Sequence, residues 1–341
     1  MTPSESRALI LRELDEQEEI LCNAAAPLKA EGQRLRPSKA GTLWVGGCGD
    51  SLFAAQSLTR HFRALGWDMR AASAAEMLWD ADIRAGDSVI GISISGSTRR
   101  TVEAMGRATA CGANTLAITL NVDSALSEAA RATLVLPFRP ISRAIPHGLD
   151  YHMTLLALAA VAGEVPTDRI GALFRTRTTP LLADARSLAG NLGDAPRFVF
   201  LGAGAALGSA NYGAAKLYEA GGVAAWSFEA ENFCHGAQFM LGPQDHVILY
   251  GAAGPGDRRT AALRAGLCRI VGSVSDCGVY EDGIGPLGAA FGSALHAQTL
   301  CLAVAERLDL DVSSPARGSN AADVQREWFG WTSGGTADPR S

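Results

Sequence analysis

Apolar positions along the chain recur first at helical spacing and then in short runs. Residues 4–30 place Leu9, Leu11, Leu14, Ile20 and Leu21 at near-helical intervals with acids between them, which predicts an amphipathic helix packed on the body or on a second subunit. Arg36-Pro37-Ser38 breaks it. Apolar strands are then predicted at 42–46, 88–94, 115–119 and 132–136, separated by alanine-rich helical stretches at 51–65, 98–112 and 124–130. That alternation is the pattern of a parallel α/β sheet. A long apolar helix over 149–163 closes the first half, and Pro166 to Pro180 reads as the connection to the second. There, strands are expected at 197–201, 223–227, 246–251, 268–273 and 278–281, then a helix over 287–308 and a polar, glycine-rich tail.

The two halves repeat one signature about 155 positions apart. Leu43-Trp-Val-Gly-Gly-Cys-Gly-Asp-Ser51 has its counterpart in Phe198-Val-Phe-Leu-Gly-Ala-Gly204, and Asp87-Ser-Val-Ile-Gly-Ile-Ser-Ile-Ser-Gly96 in Asp245-His-Val-Ile-Leu-Tyr-Gly-Ala-Ala-Gly254. The fold class is therefore α/β: two flavodoxin-like or Rossmann-like parallel-sheet subdomains related by internal duplication. The division expected is an N-terminal helix (1–40), a first domain (41–180), a second domain (181–320) and a tail (321–341).

Only the first copy carries hydroxyls. Ser93, Ser95, Ser97 and Thr98 surround Gly96 between a buried strand and a helix start, so backbone N–H groups and hydroxyls together form a cradle for a phosphate dianion. Ordinary capping and turn formation is the competing explanation. Cys48, Gly49, Asp50 and Ser51 lie at the carboxyl end of the first strand, where open parallel sheets bind ligands. Gly202-x-Gly204-x-x-x-Gly208, with Glu229 and Glu231 beyond, offers a looser dinucleotide reading.

Composition narrows the function classes. A net charge of −5 with scattered basic residues argues against nucleic acid. Seven cysteines without Cys-x-x-Cys spacing signal neither a metal site nor a disulfide framework. The acidic, polar N-terminus does not read as a signal peptide, and no apolar run is expected to reach the ~18 residues of a membrane span. A cytoplasmic protein without metal, cofactor, nucleic-acid or membrane partner is the expectation. Lysine occurs only at 29, 39 and 216, and Lys216 stands three residues before Glu219, on one helix face. A surface ion pair would explain that spacing as well.

Cys48-Gly-Asp-Ser51 and Ser93-Ile-Ser-Gly-Ser-Thr98 resemble the loop motifs of tandem sugar isomerase (SIS) domains. Ala214-Ala-Lys-Leu-Tyr-Glu219 and Glu231-Asn-Phe-Cys-His-Gly236 are similar to segments in the isomerase half of the glucosamine-6-phosphate synthases, as is Leu11-Arg-Glu-Leu-Asp-Glu-Gln17 to that family's opening helix. The resemblance spans roughly residues 5–320. It implies a sugar phosphate held by Ser93, Ser95, Gly96, Ser97 and Thr98, with Ser51 and the Cys48–Asp50 loop lining the site. It also implies that Glu219 shuttles a proton between C1 and C2, and that His235 opens the ring or protonates the leaving group from a neighbouring subunit of a homodimer. His147, after Pro146 and beside Tyr151 and His152, is a candidate substrate contact.

Three departures limit the transfer. No glutaminase segment precedes residue 40, so glutamine-driven amination by this chain alone is not expected. Asp311–Asn320 lacks the tail lysine with which the synthases form a Schiff base, so that chemistry would have to use Lys216 or be absent. Asp50 replaces a hydroxyl beside the sugar, and an acid there suits an amine-bearing or otherwise modified substrate. Stand-alone enzymes of the isomerase, deaminase or ketosamine-phosphate deglycase type fit these departures. The alternative is a sugar-phosphate-sensing regulatory protein without turnover.

Overall fold

The computed structural model describes residues 1–251, 256–277, 284–314 and 321–331. Helix α1 (Pro3–Arg34) starts from a reciprocal capping pair in which Thr2 Oγ1 accepts from the Glu5 amide and Glu5 Oε2 accepts from the Thr2 amide. The first sheet follows: β1 (Leu43–Gly47), α2 (Asp50–Ala64), β2 (Met69–Ser73), α3 (Ala74–Trp79), β3 (Ser88–Ile92), α4 (Arg99–Ala110), β4 (Asn114–Thr119), α5 (Ala125–Ala129) and β5 (Ala132–Val135). Helices α6 (Leu149–Ala162) and α7 (Thr167–Gly190) lead to the second: β6 (Arg197–Gly202), α8 (Ala206–Gly221), β7 (Ala224–Glu229), α9 (Ala230–Phe233), β8 (Asp245–Tyr250), α10 (Gly256–Leu267), β9 (Ser273–Cys277), α11 (Gly285–Arg307) and α12 (Ala321–Gly330).

All strand pairs are parallel, in the orders β2-β1-β3-β4-β5 and β7-β6-β8-β9. The second order repeats the first with one strand fewer among the described residues. The repeat extends to backbone detail: Gly49 and Gly204, each just past the first strand of its half, have φ of +55° and +56°. Both faces of each sheet are covered, so β1 and β3 are buried throughout, as sheets sandwiched between helices must be. A single large core joins α1, α2, α6, α7, α8 and α11 between the sheets, with smaller clusters on the outer faces.

Helix α11 is long and apolar enough to cross a membrane, contrary to the sequence expectation, yet 89% of its apolar window is buried against the rest of the protein. It is a core helix. Pro166–Pro180 is likewise no extended linker: it forms most of α7, with Pro180 inside the helix and Ile170, Leu173 and Phe174 buried. The strand expected at 268–273 is displaced. Residues 268–272 form the turn after α10, where Val271 plugs the outer core while Ile270 stays exposed, and β9 begins at Ser273. The strand expected at 278–281 and the tail beyond residue 331 lie outside the described residues, while the first part of the tail forms α12.

Candidate active site

Four segments converge on one cavity of about 400 Å³. The β1–α2 turn supplies Cys48, Asp50 and Ser51; the β3–α4 loop supplies Ser93, Ile94, Ser95 and Thr98. The β5–α6 loop and the first turns of α6 add Arg143, His147, Asp150, Tyr151 and Thr154, and α8 contributes Glu219.

In the β3–α4 loop, Ser93 Oγ and Thr98 Oγ1 are 2.8 Å apart and Ser95 Oγ is 2.9 Å from Ser97 Oγ. Thr98 precedes α4 but its side chain makes no capping bond to the helix, so the first amides of α4 remain open to an anion. Capping therefore does not account for this threonine. Gly96 is required twice over: its φ is +70°, and a Cβ there would stand 2.2 Å from Ser124 Oγ. Ser97, Gly49 and Gly96 shape the loops without lining the cavity.

Helices α2 and α8 cross antiparallel: Gly208 meets Phe53 and Ser57, Asn211 Nδ2 donates to Gln56 Oε1 at 2.8 Å, and Lys216 reaches Asp50. This crossing carries groups of the second half into a cavity built by the first. Lys216 is 1% exposed, so the surface-pair explanation fails. Its Nζ donates to Asp50 Oδ2 at 2.7 Å and to Glu219 Oε2 at 2.6 Å, and it stands 5.0 Å from the centre of the Tyr212 ring. Burial works against its charge; Asp50 and then Glu219 outweigh this and hold the ammonium above the ordinary lysine range. Held between two acids, the amine is poorly disposed to act as a nucleophile. Lys216 does not line the cavity but aligns the two acids that do. Asp50, whose Oδ1 is buried without a partner, is pushed up to about 6 by burial, against the pull of Lys216.

His147 Nδ1 stands 2.7 Å from Asp150 Oδ2, and this contact raises the imidazole above its ordinary value despite burial. His152, in contrast, is a core residue: fully buried between Phe174 and Phe291, it is pushed down to about 4 by desolvation. Burial raises the Cys48 thiol, leaving it a poor nucleophile. His235 does not join the cavity. Its side chain is 75% exposed, 3.9 Å from Glu231, and Phe239 four positions on is 85% exposed.

Among the described residues, the glycines of the second half do not frame a dinucleotide site. A Cβ on Gly208 would lie 2.4 Å from Ser57 N, so this glycine serves helix packing, and the hollow at Ala203–Ala206 measures about 60 Å³. A larger cleft of about 490 Å³, lined by Arg177, Asp184, Arg264 and His296 among others, shares no residue with either loop motif.

Residues 38–162 match the SIS domain family model. That match runs from just before β1 to the end of α6, and so takes in the first sheet and both loop motifs. No curated protein matches the chain by sequence. Among solved structures, the C-terminal domain of glucosamine-fructose-6-phosphate aminotransferase from Francisella tularensis is 19% identical, with a TM-score of 0.73 over 90% of this chain and 98% of that one. Tagatose-6-phosphate ketose/aldose isomerase from Escherichia coli is 18% identical, with a TM-score of 0.74 over 92% and 97%. Glucosamine-6-phosphate deaminase from Thermotoga maritima is 19% identical, with a TM-score of 0.71 over 88% and 94%. The two-sheet fold, second half included, is thus shared with these three structures.

Sequence reasoning missed Arg143, Asp150 and Thr154 as cavity residues. Arg143 stood in a loop with no motif around it. Asp150, a lone acid in the first turn of an apolar helix, was the signal available.

Proposed function

We propose that this chain is a cofactor-free enzyme of the phosphosugar isomerase type, acting by C1/C2 enolisation on a ketose or amino-sugar 6-phosphate. The observation that carries this reading is the placement of Glu219 in the same cavity as the hydroxyl-lined start of α4. A phosphate held by Ser93, Ser95, Thr98 and the α4 amides would tether one end of the sugar. The carboxylate of Glu219 would then move a proton between C1 and C2, the step that isomerases, deaminases and ketosamine-phosphate deglycases share. The fixed charge of Lys216 favours direct enolisation over a Schiff base. Its bonds to Asp50 and Glu219 orient both acids within the cavity. A homodimer belongs to this proposal, with the exposed segment around His235 and Phe239 as the surface that meets the second copy.

The deciding experiment incubates the protein with fructose 6-phosphate, glucosamine 6-phosphate and a fructosyl-amine 6-phosphate in deuterated water. NMR follows deuterium at C1 or C2 and release of amine. Exchange with one of them, abolished in Glu219→Gln while sugar-phosphate binding persists, supports the proposal, and the product assigns the reaction. Binding without exchange for all three in the wild type would replace it with the sensing reading.

A further inference from the structure

Asp150 is 3% exposed in the first turn of α6, whose other residues are also buried. A carboxylate so placed is costly unless paired. Its near neighbour is His147 Nδ1 at 2.7 Å, and neither Asp150 oxygen meets a well-aligned hydrogen-bond donor. Glu13 of α1, itself 2% exposed, accepts from the Leu149 amide at 3.2 Å and from Gln298 Nε2 at 3.3 Å on the same side. The fold thus buries two acids beneath one imidazole. The backbone of His147 is fixed as well: Tyr212 Oη donates to its carbonyl at 3.0 Å, and the Tyr212 ring stacks on Tyr151 at 3.7 Å. His147 keeps 42% of its side chain exposed and lines the cavity with Ser93, Thr98 and Glu219. With Nδ1 turned to Asp150, Nε2 is the nitrogen left for the cavity.

Building on the enolisation reading, we propose that His147 is a second catalytic group, an acid supplied within the same subunit and oriented by Asp150, and that it opens the sugar ring. In this step the bond between the anomeric carbon and the ring oxygen breaks. The ring oxygen takes the proton from His147 Nε2, and the anomeric hydroxyl releases its proton to water in the cavity, leaving the free carbonyl. Solvent returns a proton to His147, and Glu219 remains a carboxylate for the C1–C2 transfer. The ionisable groups around His147 are Asp150 on α6, Glu13 on α1, Asp50 on α2 and Lys216 on α8. Asp150 makes the closest contact and favours the imidazolium, the form that donates.

Fructose 6-phosphate, which closes to a furanose, and 5-deoxyfructose 6-phosphate, which cannot, separate ring opening from enolisation. His147→Asn is expected to slow deuterium exchange into fructose 6-phosphate by about 100-fold or more while losing far less with the 5-deoxy analogue, whose turnover also reports that the variant is folded. Asp150→Asn lowers the pH at which turnover of fructose 6-phosphate falls off on the alkaline side, and leaves the 5-deoxy profile in place. Equal losses on both sugars for His147→Asn, or a ring-selective loss in His235→Asn instead, overturn the assignment of His147 while leaving enolisation intact. Absence of wild-type exchange with both sugars removes the enolisation reading itself, and this inference with it.

Discussion

Lys216 on α8 and Asp50 at the start of α2 form an ion pair 2.7 Å long across 166 positions of sequence. With the second bond to Glu219, the lysine holds together two carboxylates that would otherwise repel, and does so at the contact between the two halves. Lys216→Met leaves both acids uncompensated. The cost belongs near the lower end of about 3–5 kcal/mol, because Asp50 and Glu219 keep 24% and 34% of their side chains exposed. Urea denaturation measures it. Borohydride reduction in the presence of fructose 6-phosphate leaves Lys216 unmodified if the lysine only aligns the acids; a sugar adduct at this position would refute that role.

The hydroxyl loop makes a prediction about affinity rather than rate. Ser93 and Thr98 are 2.8 Å apart and both face the cavity. A hydrogen bond to a charged group contributes about 1.5–3 kcal/mol, so Ser93→Ala or Thr98→Val weakens binding of inorganic phosphate about tenfold or more. KM for the sugar phosphate rises in step, and kcat changes less. A fall in kcat with phosphate affinity intact would mean that the loop does not hold the phosphate.

Local chemistry was legible in the sequence and tertiary assembly was not. Ser93 to Thr98 and Cys48 to Ser51 are contiguous, so their hydroxyls and glycines could be read as loops at strand ends, and the structure puts them there. The pairing of Glu219 with Lys216 was visible as a three-residue helical spacing, but its burial was not, because Asp50 is brought to it only by the crossing of α2 and α8. The strand Met69–Ser73 escaped notice for lack of β-branched residues: its edge position is set by pairing with β1, not by propensity. Glu13 read as a polar residue of an amphipathic helix, yet it points into the core because α1 packs on α6 and α11.

Gly208 is where packing and function meet. A Cβ there would stand 2.4 Å from Ser57 N and 2.5 Å from Phe53 O, both backbone atoms that cannot swing aside. Gly208→Ala therefore pushes α8 from α2, costs about 1–3 kcal/mol and draws Glu219 away from the cavity. Turnover measured well below the melting temperature should fall while phosphate affinity holds. Gly106→Ala is the contrast: that helical glycine has nothing within 4 Å of its would-be Cβ, and the change stabilises by up to about 1 kcal/mol. Equal melting temperatures for the two variants would contradict the steric argument.

Glu13 gives the protein a pH dependence of defined sign. Burial pushes its carboxyl up to about 7 from the ordinary 4.5, against the opposing hydrogen bond from the Leu149 amide. Between pH 4.5 and 7 the folded chain retains a proton that the unfolded chain has released, so stability falls as pH rises through that window and levels off above it. At about 1.4 kcal/mol per pH unit the loss is on the order of 3 kcal/mol. Glu13→Gln removes the charge while keeping an oxygen to accept from Leu149 and Gln298, and it relieves the repulsion between Glu13 and Asp150. The variant is therefore more stable than the wild type at pH 8 and indistinguishable from it near pH 4.5. Urea titrations at the two pH values test this, and a variant less stable than wild type at pH 8 would show that the Glu13 carboxylate contributes to stability rather than opposing it.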